Sequence, residues 1–153
     1  MEGEGRAEIQ DGLYKVNGDA LEIISDEKAC YTIDRQAKEV MIEVPEAAFG
    51  GLNPASFLAG LDEAFALVSV EPASFEGGQA SKYALKPLKT FFVTSLALFF
   101  SADRLVGAQM QSGEGVPVTF VIKDLKYESK KAPSYFSFDS ASLDKSWIIT
   151  DLR

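Results

Sequence analysis

The stretch SDEKACYTIDRQAKEV, residues 25 to 40, decides how this chain is read. Two readings compete for it. One is a reactive site built on Cys30, the only cysteine of the chain. The other is a hairpin. Tyr31 and Ile33 recur at a spacing of two, and Val40, Ile42 and Val44 repeat the pattern against Met41 and Glu43. Alternation of this kind marks strands with one buried face. Asp34-Arg35-Gln36-Ala37 supplies a turn between them. A nucleophilic cysteine needs a base or a positive setting to become thiolate, and the chain contains no histidine. The stretch therefore reads as strand, turn and strand, with Cys30 a small, partly buried strand residue.

The same alternation extends outward in both directions. GLYKVNG and DALEIIS give two earlier strands, the second with Leu21 and Ile23 on one face. Asn17-Gly18-Asp19 and Asp26-Glu27-Lys28 read as turns. Pro45 closes this meander of four or five strands. GGLNPASFLAGL then reads as a short helix, with Asn53 as N-cap, Pro54 at its first position and Phe57, Leu58 and Leu61 on one face. A second meander follows, and EAFALVSVEP either extends the helix or begins the first of its strands. SKYALKPLK follows, with Pro87 marking an edge or bulged strand. FFVTSLALFFS sets Leu96, Leu98 and Phe100 against Ala97 and Phe99. LVGAQMQS sets Val106, Ala108 and Met110 against Gly107, Gln109 and Gln111. VPVTFVIKDLKY aligns Val116, Val118, Phe120 and Ile122, with Leu125 and Tyr127 in the opposite phase and so a bulge or bend near Lys123. ESKKAPS is a loop, and a final strand runs around Trp147 to Leu152.

Bulk properties narrow the function classes. A chain of 153 residues with 46% apolar and 25% charged residues suits one globular domain with a sizeable core. A net charge of −8 repels nucleic acid and anionic membrane surfaces, so no nucleic-acid partner is expected. The absence of histidine removes the commonest general base and the commonest transition-metal ligand. No apolar run reaches the roughly 18 residues of a membrane-spanning helix. The opening MEGEGRAEIQ carries no signal-peptide pattern. Asp62-Glu63 and Asp139 with Asp144 fall at segment ends, where acids cap or solvate. SGEGVP joins two strands and precedes no helix, which makes it a turn and not a phosphate loop. Neither a catalytic set, a metal site nor a cofactor site emerges, and the chain is read as a non-enzyme. The 11 phenylalanines, several on strands, point instead to an apolar core or an apolar cavity.

At this point the motifs resemble a known family, the LolA-like outer-membrane lipoprotein carriers. In SDEKACYTIDRQAKEV, Asp26, Lys28, Thr32, Asp34 and Val40 match the family's hairpin, with Tyr31 where a Trp is usual. Asn53-Pro54 looks like the start of its lid helix. Phe136, Phe138 and the ending Asp151-Leu152-Arg153 are similar to its C-terminal segment, in the form found in Bacteroidetes-type bacteria. The three motifs keep the family's order over roughly residues 10 to 153. The chain departs from the family in three ways. The usual N-terminal helix and first strand or strands have no counterpart ahead of GRAEIQDGLYKV. Gln10 stands where a basic residue links sheet to lid, and Glu27 stands where Gly is usual.

The resemblance implies a single domain over residues 1–153. Its fold would be mainly β: a strongly curved antiparallel sheet forming an incomplete barrel with a short lid helix. It implies a periplasmic carrier that holds acyl chains of lipoproteins, or another lipid, in an apolar cavity without catalysis. Such a carrier receives its cargo from an inner-membrane release complex and delivers it to an outer-membrane acceptor. The alternative is an envelope interaction or sensor module on the same scaffold with a filled core. The strand faces give as cavity candidates Tyr14, Val16, Ile23, Tyr31, Ile33, Val40, Ile42, Phe57, Leu58, Leu61, Leu96, Leu98, Phe100, Met110 and Phe120.

Overall fold

The computed structural model describes residues 3–45, 64–89, 93–113 and 115–153. Within them the chain is mainly β, as the alternation predicts. It forms two compact units, each with its own sheet. The helix expected around Asn53 to Leu61 lies outside the described residues, as do Asp62 and Glu63.

The first sheet has six strands. β1 (Gly5–Gln10), β2 (Leu13–Gly18), β3 (Leu21–Ser25), β4 (Cys30–Asp34) and β5 (Glu39–Glu43) follow one another as an antiparallel meander. Three of its four turns show a local cause. Asp11 and Gly12 both take positive φ, 51° and 97°, which matches the twist of a tight two-residue hairpin. Between β3 and β4 the Asp26 carboxylate accepts the N–H groups of Lys28 and Ala29, both at 3.0 Å. Asp34 does the same for Gln36 and Ala37 after β4, at 2.9 and 2.8 Å. These aspartates replace hydrogen bonds that the turn backbone cannot make to a neighbouring strand.

The sixth strand corrects the expectation of a purely antiparallel sheet. β11 (Ile148–Asp151) pairs parallel with β5. A parallel pair needs a crossover, and within this unit residues 129–147 precede β11. That segment holds two short 3-10 turns, Pro133–Phe136 and Ser140–Ser142. The Asp139 side chain caps the second by accepting from the Ala141 N–H, and Asp144 accepts from the Ser146 N–H. Both acids thus act as local caps.

The second sheet has five antiparallel strands in the order β10-β9-β8-β7-β6. They are β6 (Phe65–Phe75), β7 (Gly78–Pro87), β8 (Val93–Ser101), β9 (Arg104–Ser112) and β10 (Val118–Val121). Of the two readings of β7, edge or bulged strand, the first is corrected, because β7 is paired on both sides; the β6–β7 pair does carry a bulge, on the β6 side. Pro87 is tolerated because it occupies the strand's last position. The edges are β10 and β6, and β6 carries a bulge at Val68 and Pro72 within it. Both features discourage a further strand from pairing there. β10 is only four residues long and ends at Val121, before Lys123, the place expected for a bulge or bend.

Gly107 explains one close approach in this sheet. Phe75 stacks on Phe99 with ring centroids 4.4 Å apart. The Phe75 ring covers Gly107 where a Cβ would otherwise stand. An aromatic ring thus shields the bare backbone of a strand glycine.

Candidate apolar ligand face

Strand register assigns each candidate on a described strand to a face, because residues directly opposite on neighbouring strands point the same way. On the first sheet the cavity candidates divide. Tyr31, Ile33, Val40 and Ile42 lie on one face and form a buried cluster with Ile24 and Ala29. Tyr14, Val16 and Ile23 lie on the other face, where Tyr14 and Cys30 form a separate buried cluster. The register does not bring these two groups together. DALEIIS is apolar at both Ile23 and Ile24, so alternation alone could not choose between them.

The Ile33 face is packed by the chain's own residues. Phe138, Leu143 and Trp147 lie against the cluster, with the Phe138 ring 5.4 Å from that of Tyr31. The segment carrying them is tied to β1. Gln10 accepts from the Lys131 N–H at 2.7 Å and donates to the Lys131 carbonyl at 2.9 Å. The Lys131 ammonium pairs with Glu8, and the Tyr135 hydroxyl donates to Glu8 at 2.7 Å. Lys130 pairs with Asp11 at 2.6 Å. The Lys131 and Tyr135 hydrogen bonds hold the Glu8 carboxyl below its ordinary pKa.

Cys30 sits on the opposite face with 1% of its surface exposed. Its sulfur lies 3.2 Å from the hydroxyl of Tyr14, which is fully buried. Burial pushes the Cys30 thiol pKa upward. Burial, and then the cysteine itself, push the Tyr14 phenol up as well. Both groups stay protonated at neutral pH, the reverse of what a thiolate nucleophile requires. Among the described residues no group of His, Cys, Asp and Glu is arranged to hold a metal ion.

The second sheet behaves differently. Leu96, Leu98, Phe100, Met110 and Phe120 all fall on one face, and the register extends that face across all five strands. One row runs Leu67, Leu85, Leu96, Met110, Val118. The next runs Val70, Tyr83, Leu98, Ala108, Phe120. Glu71, Lys82, Lys86, Gln109 and Thr119 point the other way. The first side is apolar along both rows, whereas the other mixes these polar residues with Ala97, Phe99 and Val121, where Phe99 is covered by Phe75.

An open groove of about 570 Å³ lies on this apolar face. Phe65, Leu67, Tyr83, Leu85, Leu98 and Phe100 line it, and the Ala102–Asp103 turn closes one end. The Tyr83 and Phe100 rings meet edge to face at 5.1 Å. Its size falls within the range of small-molecule sites, about 300–1,000 Å³. Phe65, Leu67, Tyr83 and Leu85 were absent from the sequence-based candidates. Tyr83 and Leu85 were readable from the alternation in SKYALK, whereas the bulge at Val68 breaks the phase of FALVSV. Phe57, Leu58 and Leu61 lie outside the described residues. A comparison with protein-family models and with curated proteins finds no match to this chain.

Proposed function

We propose that this protein is a carrier of acyl chains, with the apolar face of the second sheet as its binding surface. One observation carries the reading: two apolar rows cross all five strands, and a groove of about 570 Å³ lies on that face. An acyl chain exposed to water costs about 0.8 kcal/mol per methylene. A groove lined by leucine and phenylalanine relieves that cost. Its openness suits a carrier, which must also release its load. The sequence motifs add the finer reading, a LolA-like half-barrel that moves lipoprotein acyl chains across the periplasm. In it the cargo passes from an inner-membrane release complex to an outer-membrane acceptor.

Binding of a fluorescent fatty-acyl probe tests the proposal. Leu98→Glu should abolish uptake, but Leu98 is only 7% exposed, so a buried carboxylate there also threatens folding. Leu67→Glu is the cleaner variant, because Leu67 is 56% exposed on the same groove. We expect its probe affinity to fall at least tenfold with an unchanged circular dichroism spectrum. Undiminished uptake by folded Leu67→Glu would remove the groove as the site.

A second reading has its own support. The apolar cluster of the first sheet is packed by Phe138, Leu143 and Trp147. A scaffold filled by its own side chains suits an envelope interaction or sensor module. Purified protein that carries no lipid by native mass spectrometry and refuses every acyl probe would favour it.

A further inference from the structure

The groove differs at its two levels. Its walls are apolar, and the ladder positions of that face carry no charged residue among the described residues. Lys82 and Lys86 project from the opposite side of the sheet. Arg104 reaches Asp124 at 3.7 Å. Among the described residues that line the groove Asp103 is the one that carries a charge, and it lies in the turn between β8 and β9, just after Phe100. A ligand that lays its chain along Leu67, Leu85 and Leu98 toward that turn therefore has an acidic residue beside its head.

We infer that the groove takes a single-chain amphiphile with a cationic head group, an alkylammonium in chemical class, in preference to a free fatty acid. The inference rests on the carrier reading and adds the head group to it. A carboxylate head would face Asp103 and the field of a chain with net charge −8. An ammonium head would gain both an ion pair and hydrogen bonds there. A neutral head should fall between the two.

Isothermal titration with decylammonium, decyl glucoside and decanoate tests this, each below its micelle concentration at pH 7 and 0.15 M salt. The expected order of affinity is ammonium, glucoside, decanoate, with about a tenfold span. Asp103→Asn should collapse the span to within about twofold. Glu71→Gln removes a charge from the opposite face of the same sheet and should leave the order intact, which separates a local effect from net charge. Equal binding of the three probes, or an order that survives Asp103→Asn, overturns the head-group assignment and leaves the apolar groove standing. Failure of all three to bind overturns the carrier reading as well.

Discussion

Glu27 shows how a single residue can resist its own conformation. It sits in the turn between β3 and β4 with φ of 69°, the left-handed region that favours glycine. The carboxylate of Asp26 holds the turn closed around it, so the strain is local. For a non-glycine residue the strain is about 1–2 kcal/mol. Glycine would relieve it but would also gain freedom in the unfolded chain, which offsets part of the benefit. We expect Glu27→Gly to raise stability by about 0.5–1 kcal/mol. A rise in the urea midpoint at constant slope would show it, and a fall would mean that the glutamate side chain contributes more than the strain removes. The sequence carried part of this signal, because Glu27 is a poor turn former beside Asp26. What it could not show was that the backbone keeps the left-handed geometry regardless.

At the level of elements, the strap from Lys130 to Phe138 is held to β1 by polar contacts and to the sheet by apolar ones. Glu8 is the titratable centre of the polar set, receiving Lys131 and Tyr135. Its folded pKa is depressed, so its contribution is complete above the ordinary carboxylate value of 4.5 and is lost as pH falls through the folded value. Glu8→Gln should therefore cost about 1 kcal/mol at pH 7, and the cost should shrink as pH falls below 4.5 toward and through the folded value. Thermal unfolding of both proteins from pH 7 to 3 checks this, since other carboxylates cancel in the difference. A pH-independent gap would show that the hydrogen-bonding shape of the side chain matters and its charge does not. The strap was legible only as a polar loop, ESKKAPS. Gln10 and Lys131 are far apart in sequence, and no local pattern announces that a glutamine amide will pair with a distant backbone.

For the molecule as a whole, the two sheets divide the work. On the carrier reading the first is scaffold and the second binds. Ile33 is fully buried under the C-terminal segment's aromatic side chains. Its truncation to alanine should cost about 2–5 kcal/mol of stability. The affinity of the remaining folded protein for an acyl probe should stay within twofold of the parent. A large loss of affinity at full folding would place part of the site on the first sheet and restore Tyr31, Ile33, Val40 and Ile42 as ligand contacts.

The sequence by itself determined the strands, most of their turns and the relative faces within a single strand. Those are short-range consequences of alternation and of turn chemistry at Asp, Asn and Gly. It set Leu96, Leu98 and Phe100 together for that reason, since they share β8. Only the tertiary structure decided how faces combine between strands. A one-residue choice at Ile23 or Ile24 sends a whole strand's side chains to the other side. Parallel pairing of β11 with β5, the interior place of β7 and the filling of the first sheet by Phe138 and Trp147 are long-range facts. They depend on which surfaces meet once the chain has turned back on itself, and hydrophobic burial is indifferent to sequence separation.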